Sequence, residues 1–334
     1  MDPTTPMAQI VLGIGSSHTP MLNAPLGDWS RFIERDRGRA HLDKHGNPMS
    51  YAELEASVGD VYAKELTPQV FADRHSRALG EVEKLGAMMR EARLDTLIIV
   101  GDDQKELYNT DNMPSILVYH GQSIRNVPLT KDHPGPDWVR NSAARYYERE
   151  RPRDYPVDRA LAEHVISSLV DEEFDVAVAD SIAEGYGEGH AFGFVHNRLL
   201  NGAEVPVIPI FLNTYYPPNQ PTPRRCHRLG QAIRRAIEQF PGDARVGIVA
   251  SGGLTHFTVD EEFDGRIIRA LREKDAEALY ALPRRQLNAG NSEIRNWICV
   301  AGAVEHLALR SLEYIPAYRT PAGTGTGLCF AVWN

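Results

Sequence analysis

The stretch Gln9–Leu22, QIVLGIGSSHTPML, places a histidine directly after an apolar run. The run from Ile10 to Ile14 is typical of a short buried strand, which Gly15 ends. His18 then follows in the loop after the carboxyl end of the strand. Because open α/β sheets bind their ligands at that edge, we expect His18 to anchor a metal site. The alternative is an imidazole that caps its own turn or bonds to a nearby carbonyl.

Composition describes an ordinary globular chain. Its 334 residues are 42% hydrophobic and 24% charged, which is enough apolar material for one large domain or two smaller ones. The net charge of −9 argues against a nucleic-acid surface and against a polybasic patch that binds membranes. We therefore expect neither nucleic acid nor a membrane among the partners.

Cysteine spacing and the amino-terminal segment favour the cytoplasm. The three cysteines, Cys226, Cys299 and Cys329, are far apart and form no CxxC pair, so neither a zinc knuckle nor a disulfide framework is predicted. The first residues, MDPTTPMAQ, lack the basic and apolar regions of a signal peptide. No apolar run approaches the roughly 18 residues of a membrane span.

Strand and helix patterns alternate along the whole chain, without repeats or a low-complexity linker. This order predicts one α/β domain over residues 9–334, with a central mixed sheet flanked by helices, after a flexible tail at residues 1–8. Residues 115–121 are predicted to form an edge strand, and residues 131–156 an irregular surface excursion. The main predicted strands are residues 10–14, 96–100, 174–180, 205–213 and 245–250, and the longest predicted helix is residues 68–92.

Candidate functional side chains collect in loops that follow predicted strands. They are His18, Asp103, Gln104, His190, Tyr215 and His256. Such loops meet at one edge of a sheet, so this placement is the main functional signal. Histidines in predicted helices are interpreted as surface or structural residues, namely His75, His164, His227 and His306.

Glu293 and His256 each have a structural and a functional interpretation. Glu293 stands at the start of a predicted helix, where the helix dipole alone favours a carboxylate. It could instead join His18 in a metal site, because two histidines and one carboxylate leave positions open on non-haem Fe(II). His256 follows two glycines and either bonds to its own turn or acts as a general base. No GxSxG elbow is present, which disfavours a serine hydrolase.

Six separated motifs, from about residue 9 to the carboxyl terminus, together resemble the class III (LigB-type) extradiol ring-cleavage dioxygenases. The family includes protocatechuate 4,5-dioxygenase and the gallate and 3-O-methylgallate dioxygenases. The motifs are GIGSSHTP, GDDQ, GEGHAFG, PVIPIFLNTYYPP, ASGGLTHF and SEIRNWI. The resemblance implies an Fe(II) enzyme that opens a dihydroxylated aromatic ring with O2, on a catechol, a gallate or a hydroxypyridone, and that forms a homo-oligomer.

The resemblance also implies roles for individual residues. His18 matches the first iron ligand and Glu293 the carboxylate ligand. His256 matches the catalytic base, and His190 matches a histidine that contacts substrate or oxygen. Four further side chains are candidates for binding a substrate carboxylate or phenol, each with a structural role as the alternative: Tyr215, Tyr216, Arg295 and Arg319.

One position departs from the family pattern. Gln104 stands where the family has its second histidine ligand. The Gln104 amide oxygen could coordinate the metal, Asp103 could replace it, or the metal could be bound poorly in a protein with another role. A metal-dependent lyase or hydrolase on the same fold, and a non-catalytic subunit that binds aromatics, therefore stay open as alternatives.

Overall fold

The computed structural model describes residues 6–130 and 135–334, and residues 1–5 and 131–134 lie outside it. The predicted tail thus falls largely outside the described residues. Of its described part, Met7 forms a bridge with Pro241, and the Ala8 N–H donates to the Phe240 carbonyl at 3.1 Å. The strands are β1 Gln9–Ser16, β2 Ala40–Leu42, β3 Pro48–Ser50, β4 Thr96–Asp102, β5 Ile116–Tyr119, β6 Ser123–Asn126, β7 Arg153–Pro156, β8 Ala177–Ala179, β9 Val207–Leu212, β10 Arg245–Ser251, β11 Leu309–Tyr318 and β12 Gly325–Trp333.

An eight-stranded mixed sheet organises the fold, as the sequence predicts. Its order is β11-β12-β1-β10-β4-β9-β5-β8. The four central strands β1, β10, β4 and β9 are parallel, whereas β12 and β5 run antiparallel to their inner neighbours. Because the central strands are parallel, the loops that follow them open at one edge of the sheet.

Helices cover both faces of this sheet. Within the described residues, no helix is both long and apolar enough to cross a bilayer. The helices are α1 Pro20–Asn23, α2 Phe32–Arg37, α3 Tyr51–Val58, α4 Pro68–Glu91, α5 Asp137–Ala143, α6 Arg159–Asp171, α7 His190–Phe194, α8 Pro223–Glu238, α9 Glu261–Glu273, α10 Ala276–Tyr280 and α11 Ile294–Ala303.

The core has two layers, one on each face of the sheet. In β4, Ile98 and Val100 pack into the layer that contains α8 and α11, whereas Leu97 and Ile99 pack into the layer that contains α4 and α7. This division follows from the two-residue period of a strand. The continuous apolar sequence of β4 is therefore explained by burial on both faces.

Local signals set the ends of the helices. α4 begins at Pro68, after Thr67 whose hydroxyl accepts the Val70 N–H at 3.3 Å, and it spans nearly all of the predicted helix. α3 begins with a capping box, in which the Ser50 N–H donates to Glu53 Oε2 at 2.8 Å. These contacts satisfy backbone donors that have no partner within the helix.

Three regions differ from the sequence-based expectations. β5 is not an edge strand, because β8 pairs with its outer side, and β8 with β11 form the edges of the sheet. β11 is absent from the predicted strands, since its sequence LRSLEYIPAY mixes charges and a proline with apolar residues. The described part of the predicted excursion at residues 131–156 contains α5 and β7.

Candidate metal centre

Side chains from five separate segments meet beyond the carboxyl ends of the central strands. Ligand atoms of four of them lie within 4.8 Å of one another. We call this group the Glu293 cluster; it consists of His18, Asp102, His190 and Glu293. A cavity of about 80 Å³ adjoins it, several times the ~10–15 Å³ that one ordered water needs.

His18 follows β1 and presents one ring nitrogen to the cluster. Its Nδ1 lies 2.9 Å from the Ser251 hydroxyl, and that hydroxyl donates its own proton to the Ala191 carbonyl at 2.7 Å. Ser251 must therefore accept from Nδ1–H, which leaves the lone pair on Nε2. The His18 ring is thus held in the tautomer that a metal ligand requires.

Glu293 lies at the end of a short 3₁₀ turn, directly before α11, and is 1% exposed. Its Oε2 accepts the Gly253 N–H at 2.8 Å and lies 3.4 Å from His18 Nε2. Its Oε1 lies 3.2 Å from His256 Nε2. Burial would raise the pKa of the Glu293 carboxyl, but His256 and His18 hold it well below its usual value. The carboxylate is therefore ionised and faces two imidazoles.

Asp102, the last residue of β4, belongs to the cluster although the sequence analysis did not select it. It is 1% exposed, and burial followed by the nearby Glu293 charge raises its pKa. Its Oδ1 is buried and has no hydrogen-bond partner among the described residues. The signal for Asp102 was its place at the end of a buried strand; the side chain points into the cluster because of the register of β4.

The two residues after Asp102 play different parts. Asp103 accepts the backbone N–H groups of Lys105, Leu107 and Tyr108, at 3.1, 2.8 and 3.1 Å, so it holds its own loop and the structure does not bring it into the cluster. Gln104 Nε2 lies 3.3 Å from Asp102 Oδ2 and 3.5 Å from Glu293 Oε1. In this orientation the amide presents its N–H groups, rather than its oxygen, to the carboxylates.

His190 is the first residue of α7, where the sequence analysis expected a glycine-rich loop. Its Nδ1 lies 2.7 Å from Glu106 Oε2, and its backbone N–H donates to Glu106 Oε1 at 2.9 Å. Burial would lower the pKa of His190, but Glu106 raises it to about 10. Glu106 is a partner that sequence reasoning missed, because only the fold brings it to a histidine 84 positions away.

His256 faces the opposite side of Glu293. Its Nδ1 lies 2.9 Å from the Leu254 carbonyl, so this nitrogen carries a proton and Nε2 faces the carboxylate. Burial would lower the pKa of His256, but Glu293 raises it. Gly290 packs beneath the ring, where a Cβ would come within 2.2 Å of His256 Cδ2. Glycine is therefore required at 290 for the ring to occupy this position.

Tyr215 and Tyr216, predicted to bind substrate, lie near the site but not in the cavity that adjoins the cluster. Tyr215 lines a neighbouring cavity, and its pKa is raised by burial and then by the charges of Glu293 and Asp102. The Tyr216 ring lies under the Lys105 ammonium, at 4.7 Å from its centroid. Burial, then the charges of Asp103 and Asp102, raise the pKa of Tyr216, so the charge environment of both tyrosines includes the cluster.

The two arginine candidates are both buried and engaged. Arg295 is 0% exposed, and its Nε and Nη1 donate to backbone carbonyls, among them those of Pro221 and Leu287 at 2.9 and 2.6 Å. Arg319 lines the cavity, but its guanidinium forms a bidentate ion pair with Asp36 at 2.7 and 2.8 Å. Neither guanidinium is therefore placed to take a substrate anion.

Three of the histidines interpreted as structural make structural contacts. His164 and His306 lie 2.9 Å from the carbonyls of Ala236 and Ile10, and His227 Nδ1 lies 2.9 Å from the Tyr280 hydroxyl. None of them belongs to the Glu293 cluster as it is described.

The cluster fits a divalent metal. Two of its potential ligand atoms, His18 Nε2 and Asp102 Oδ1, are buried without a hydrogen-bond partner among residues 6–130 and 135–334. Such atoms are costly to bury unless something else binds them. Imidazole and carboxylate are ligands that Fe(II) accepts. The fold and the cluster thus define an α/β protein with a buried group of side chains able to hold a metal at the carboxyl edge of its sheet.

Comparison with known families agrees with this class. The family model described as the catalytic LigB subunit of aromatic ring-opening dioxygenase matches residues 61–328, well over half of the chain. The protein belongs to the LigB family.

Curated relatives match over shorter stretches. Gallate dioxygenase from Pseudomonas putida is 39% identical over 115 residues, which is 33% of this chain and 32% of the relative. A 2,3-dihydroxyphenylpropionate/2,3-dihydroxicinnamic acid 1,2-dioxygenase from Comamonas testosteroni is 34% identical over 29% of this chain and 28% of its own length. An enzyme of the same name from Rhodococcus sp is also 34% identical, over 40% of this chain and 43% of its own length. The matches span less than half of each of these relatives.

Proposed function

We propose that this protein is an Fe(II)-dependent extradiol dioxygenase that opens a dihydroxylated aromatic ring with O2. Support comes from membership of the LigB family, from the activities named for its relatives and from the Glu293 cluster. The ring is of the catechol or gallate type, or a hydroxypyridone.

The metal ligands in this proposal are His18, Asp102 and Glu293. Asp102 takes the place of the histidine that the family pattern would put at Gln104, because Asp102 has the buried oxygen without a partner. Gln104 keeps the two carboxylates close by donating from its amide nitrogen. When bound, Fe(II) supplies a positive charge that favours an ionised substrate hydroxyl and a redox-active centre for O2.

His256 is the general base of the proposal. Its Nδ1 hydrogen bond to the Leu254 carbonyl fixes the ring so that Nε2 is the nitrogen that accepts a proton. This nitrogen borders both the cavity and Glu293, within reach of a hydroxyl on a ring held in the cavity. His256 would therefore remove the proton of the second substrate hydroxyl.

His190 is the proton donor of the proposal. Its Nδ1 pairs with Glu106, whose other oxygen accepts a hydrogen bond from the Tyr147 hydroxyl at 2.6 Å. This arrangement orients the ring and leaves Nε2 free to face the cavity, which His190 lines. His256 borders the Glu293 cluster and His190 belongs to it, so a proton can be accepted at one histidine and delivered from the other.

The observation that carries the proposal is a pair of buried ligand atoms beside an ionised Glu293. These atoms, His18 Nε2 and Asp102 Oδ1, have no hydrogen-bond partner in the part of the chain that the structure describes. The test is anaerobic reconstitution with Fe(II), followed by O2 consumption with a panel of catechols, gallates and hydroxypyridones. Ultraviolet and visible spectra would detect the ring-opened product. Iron uptake with O2 consumption that matches product formation is the expected result.

Replacing the proposed base separates its role from that of a ligand. We expect His256→Ala to bind iron at the wild-type stoichiometry and to lose ring cleavage by about 100- to 10,000-fold, the usual contribution of a general base. His164→Ala, which removes a histidine outside the cluster, is the matched control. Loss of iron from His256→Ala would show that His256 is a ligand.

The same panel distinguishes the alternatives. Metal uptake with turnover but without O2 consumption would identify a metal-dependent lyase or hydrolase. Failure to bind iron, with aromatic binding retained, would identify a non-catalytic subunit. We also propose that the protein forms a homo-oligomer. Size-exclusion chromatography with light scattering tests this by measuring the molar mass of the protein.

A further inference from the structure

The cavity beside the Glu293 cluster has a cationic side. Two arginines, Arg35 and Arg319, line it together with His18, His190 and Glu293 of the cluster. Arg35 and its neighbour Asp36 belong to α2, which lies before the residues that the family model matches. Arg319, by contrast, lies within the matched residues.

Only one of these two positive charges is neutralised. Both carboxylate oxygens of Asp36 accept hydrogen bonds from Arg319, and Oδ2 also accepts one from the Thr324 hydroxyl at 2.5 Å. The side chain of Arg35 makes no hydrogen bond or ion pair within the described residues, and its Nε is buried without a partner. Arg35 is partly buried, and a buried guanidinium nitrogen without a partner is costly, so this side chain points to an anionic ligand.

The surroundings of Arg35 add positive charge. Burial, together with the charges of Arg39 and Arg319, lowers the pKa of Arg35 to about 9, although the charge of Asp36 opposes this shift. Arg39 lies over the Phe257 ring, 5.2 Å from its centroid, and Phe257 lines the same cavity. The cationic side thus holds three guanidinium groups around the single carboxylate of Asp36.

We propose that Arg35 binds a carboxylate on the aromatic substrate, so that the site selects aromatic acids over neutral catechols. This inference rests on the proposed function for the reacting end of the substrate. The hydroxyls would face the Glu293 cluster, and the carboxylate would face Arg35 across the cavity. A guanidinium suits this task because its planar donors match a carboxylate.

Binding of unreactive ligands tests the inference without turnover. The probes are 4-hydroxybenzoate and 4-methylphenol, which differ in the carboxylate, and the measurement is calorimetry on metal-free and anaerobic Fe(II)-loaded protein. We expect Arg35→Met to weaken 4-hydroxybenzoate binding by about 10- to 100-fold and to leave 4-methylphenol binding within about twofold. Arg35→Lys should retain part of the preference.

The matched control is Arg37→Met, which removes an exposed guanidinium of the same helix. It should leave the affinities for both probes unchanged. Arg35→Met should also melt at or above the wild-type temperature, since it removes a partly buried charge that has no ion pair within the described residues. In steady-state assays, Arg35→Met should raise KM for 3,4-dihydroxybenzoate with little change in kcat, and should not change KM for 4-methylcatechol.

Three results would overturn the inference: equal binding of both probes by the wild type, equal loss of both in Arg35→Met, or no loss in Arg35→Met. A wild-type protein that consumes no O2 with any catechol, yet keeps its Arg35-dependent preference for the carboxylate, would support the anion subsite. In that case the dioxygenase proposal alone would fail.

Discussion

Two groups of buried polar side chains border the same cavity and differ in one respect. In the Glu293 cluster, two ligand atoms have no hydrogen-bond partner among the described residues. In the second group, which we call the Asp36 network, Asp36, Arg319 and Thr324 bind one another and both oxygens of the carboxylate are occupied. Both groups join residues that are hundreds of positions apart.

This difference distinguishes a group of side chains that binds a ligand from a group that holds the fold together. A network whose donors and acceptors are all paired holds the chain together, and here it fixes α2 to the turn before β12. A cluster with unpaired atoms is incomplete without a ligand, because each unpaired buried group costs about 1–3 kcal/mol. The two groups should therefore respond in opposite ways to metal and to substitution.

The largest expected effect is on stability, in the Asp36 network. Asp36→Asn leaves the buried Arg319 guanidinium without a counter-charge, so we expect a loss of about 3–5 kcal/mol in the free energy of unfolding at pH 7. Urea titration measures this loss. Metal affinity of the folded variant should stay within a few-fold of the wild type; a large drop in affinity would mean that the two groups are coupled.

The pH dependence of this loss has a definite sign. Burial would raise the pKa of Asp36, but Arg319 holds it below its usual value. The contribution of Asp36 is therefore present above about pH 4, the unfolded value, and is lost as the pH falls through the folded pKa. Unfolding at pH 7 and at about pH 3.5 should show the gap between wild type and Asp36→Asn narrowing in acid; a constant gap would contradict the ion-pair explanation.

Substitution in the Glu293 cluster should affect metal rather than folding. Glu293→Gln removes a ligand, and since loss of a group that only orients a ligand costs 10- to 100-fold, we expect at least about a 100-fold loss of Fe(II) affinity. Anaerobic calorimetry and metal analysis measure it, with circular dichroism to verify the fold. Retention of metal by a folded Glu293→Gln protein would contradict the ligand assignment.

The adjacent residues Asp102 and Asp103 give the same contrast within one loop. Asp102→Asn, like Glu293→Gln, should lower Fe(II) affinity by at least about 100-fold with little loss of stability. Asp103→Asn should leave Fe(II) affinity unchanged and cost about 1–3 kcal/mol, because an amide has one oxygen for three backbone donors. If the two variants exchanged these effects, Asp103 would be the ligand.

The smallest expected effect is at Gln104. Gln104→His replaces an amide that donates to two carboxylates with an imidazole that can ligate, so Fe(II) affinity should be unchanged or rise by up to about tenfold. The same titration measures this change. Loss of metal binding in Gln104→His would show that the site requires the hydrogen bonds from the Gln104 amide to Asp102 and Glu293.

Strong local patterns made much of the fold predictable. The central strands, α4 and the mixed α/β sheet follow from apolar runs and from helical periodicity. The structure also brings His18, His190 and Glu293 together and places His256 beside them, as the motifs predict. β11 was not predicted because, as an edge strand, it lacks a continuous apolar sequence.

The sequence by itself determined the central sheet, and with it the edge where the candidate side chains gather, because burial on both faces demands long apolar runs. Only the tertiary structure decided which polar atoms there have partners. It directed the Asp102 side chain into the cluster and kept Asp103 bonded to its own loop. It also joined Asp36 to Arg319 while leaving Arg35 Nε without a partner among the described residues. Hydrogen bonds and ion pairs act over about 3 Å, and the residues that come within that distance are set by packing rather than by separation along the chain.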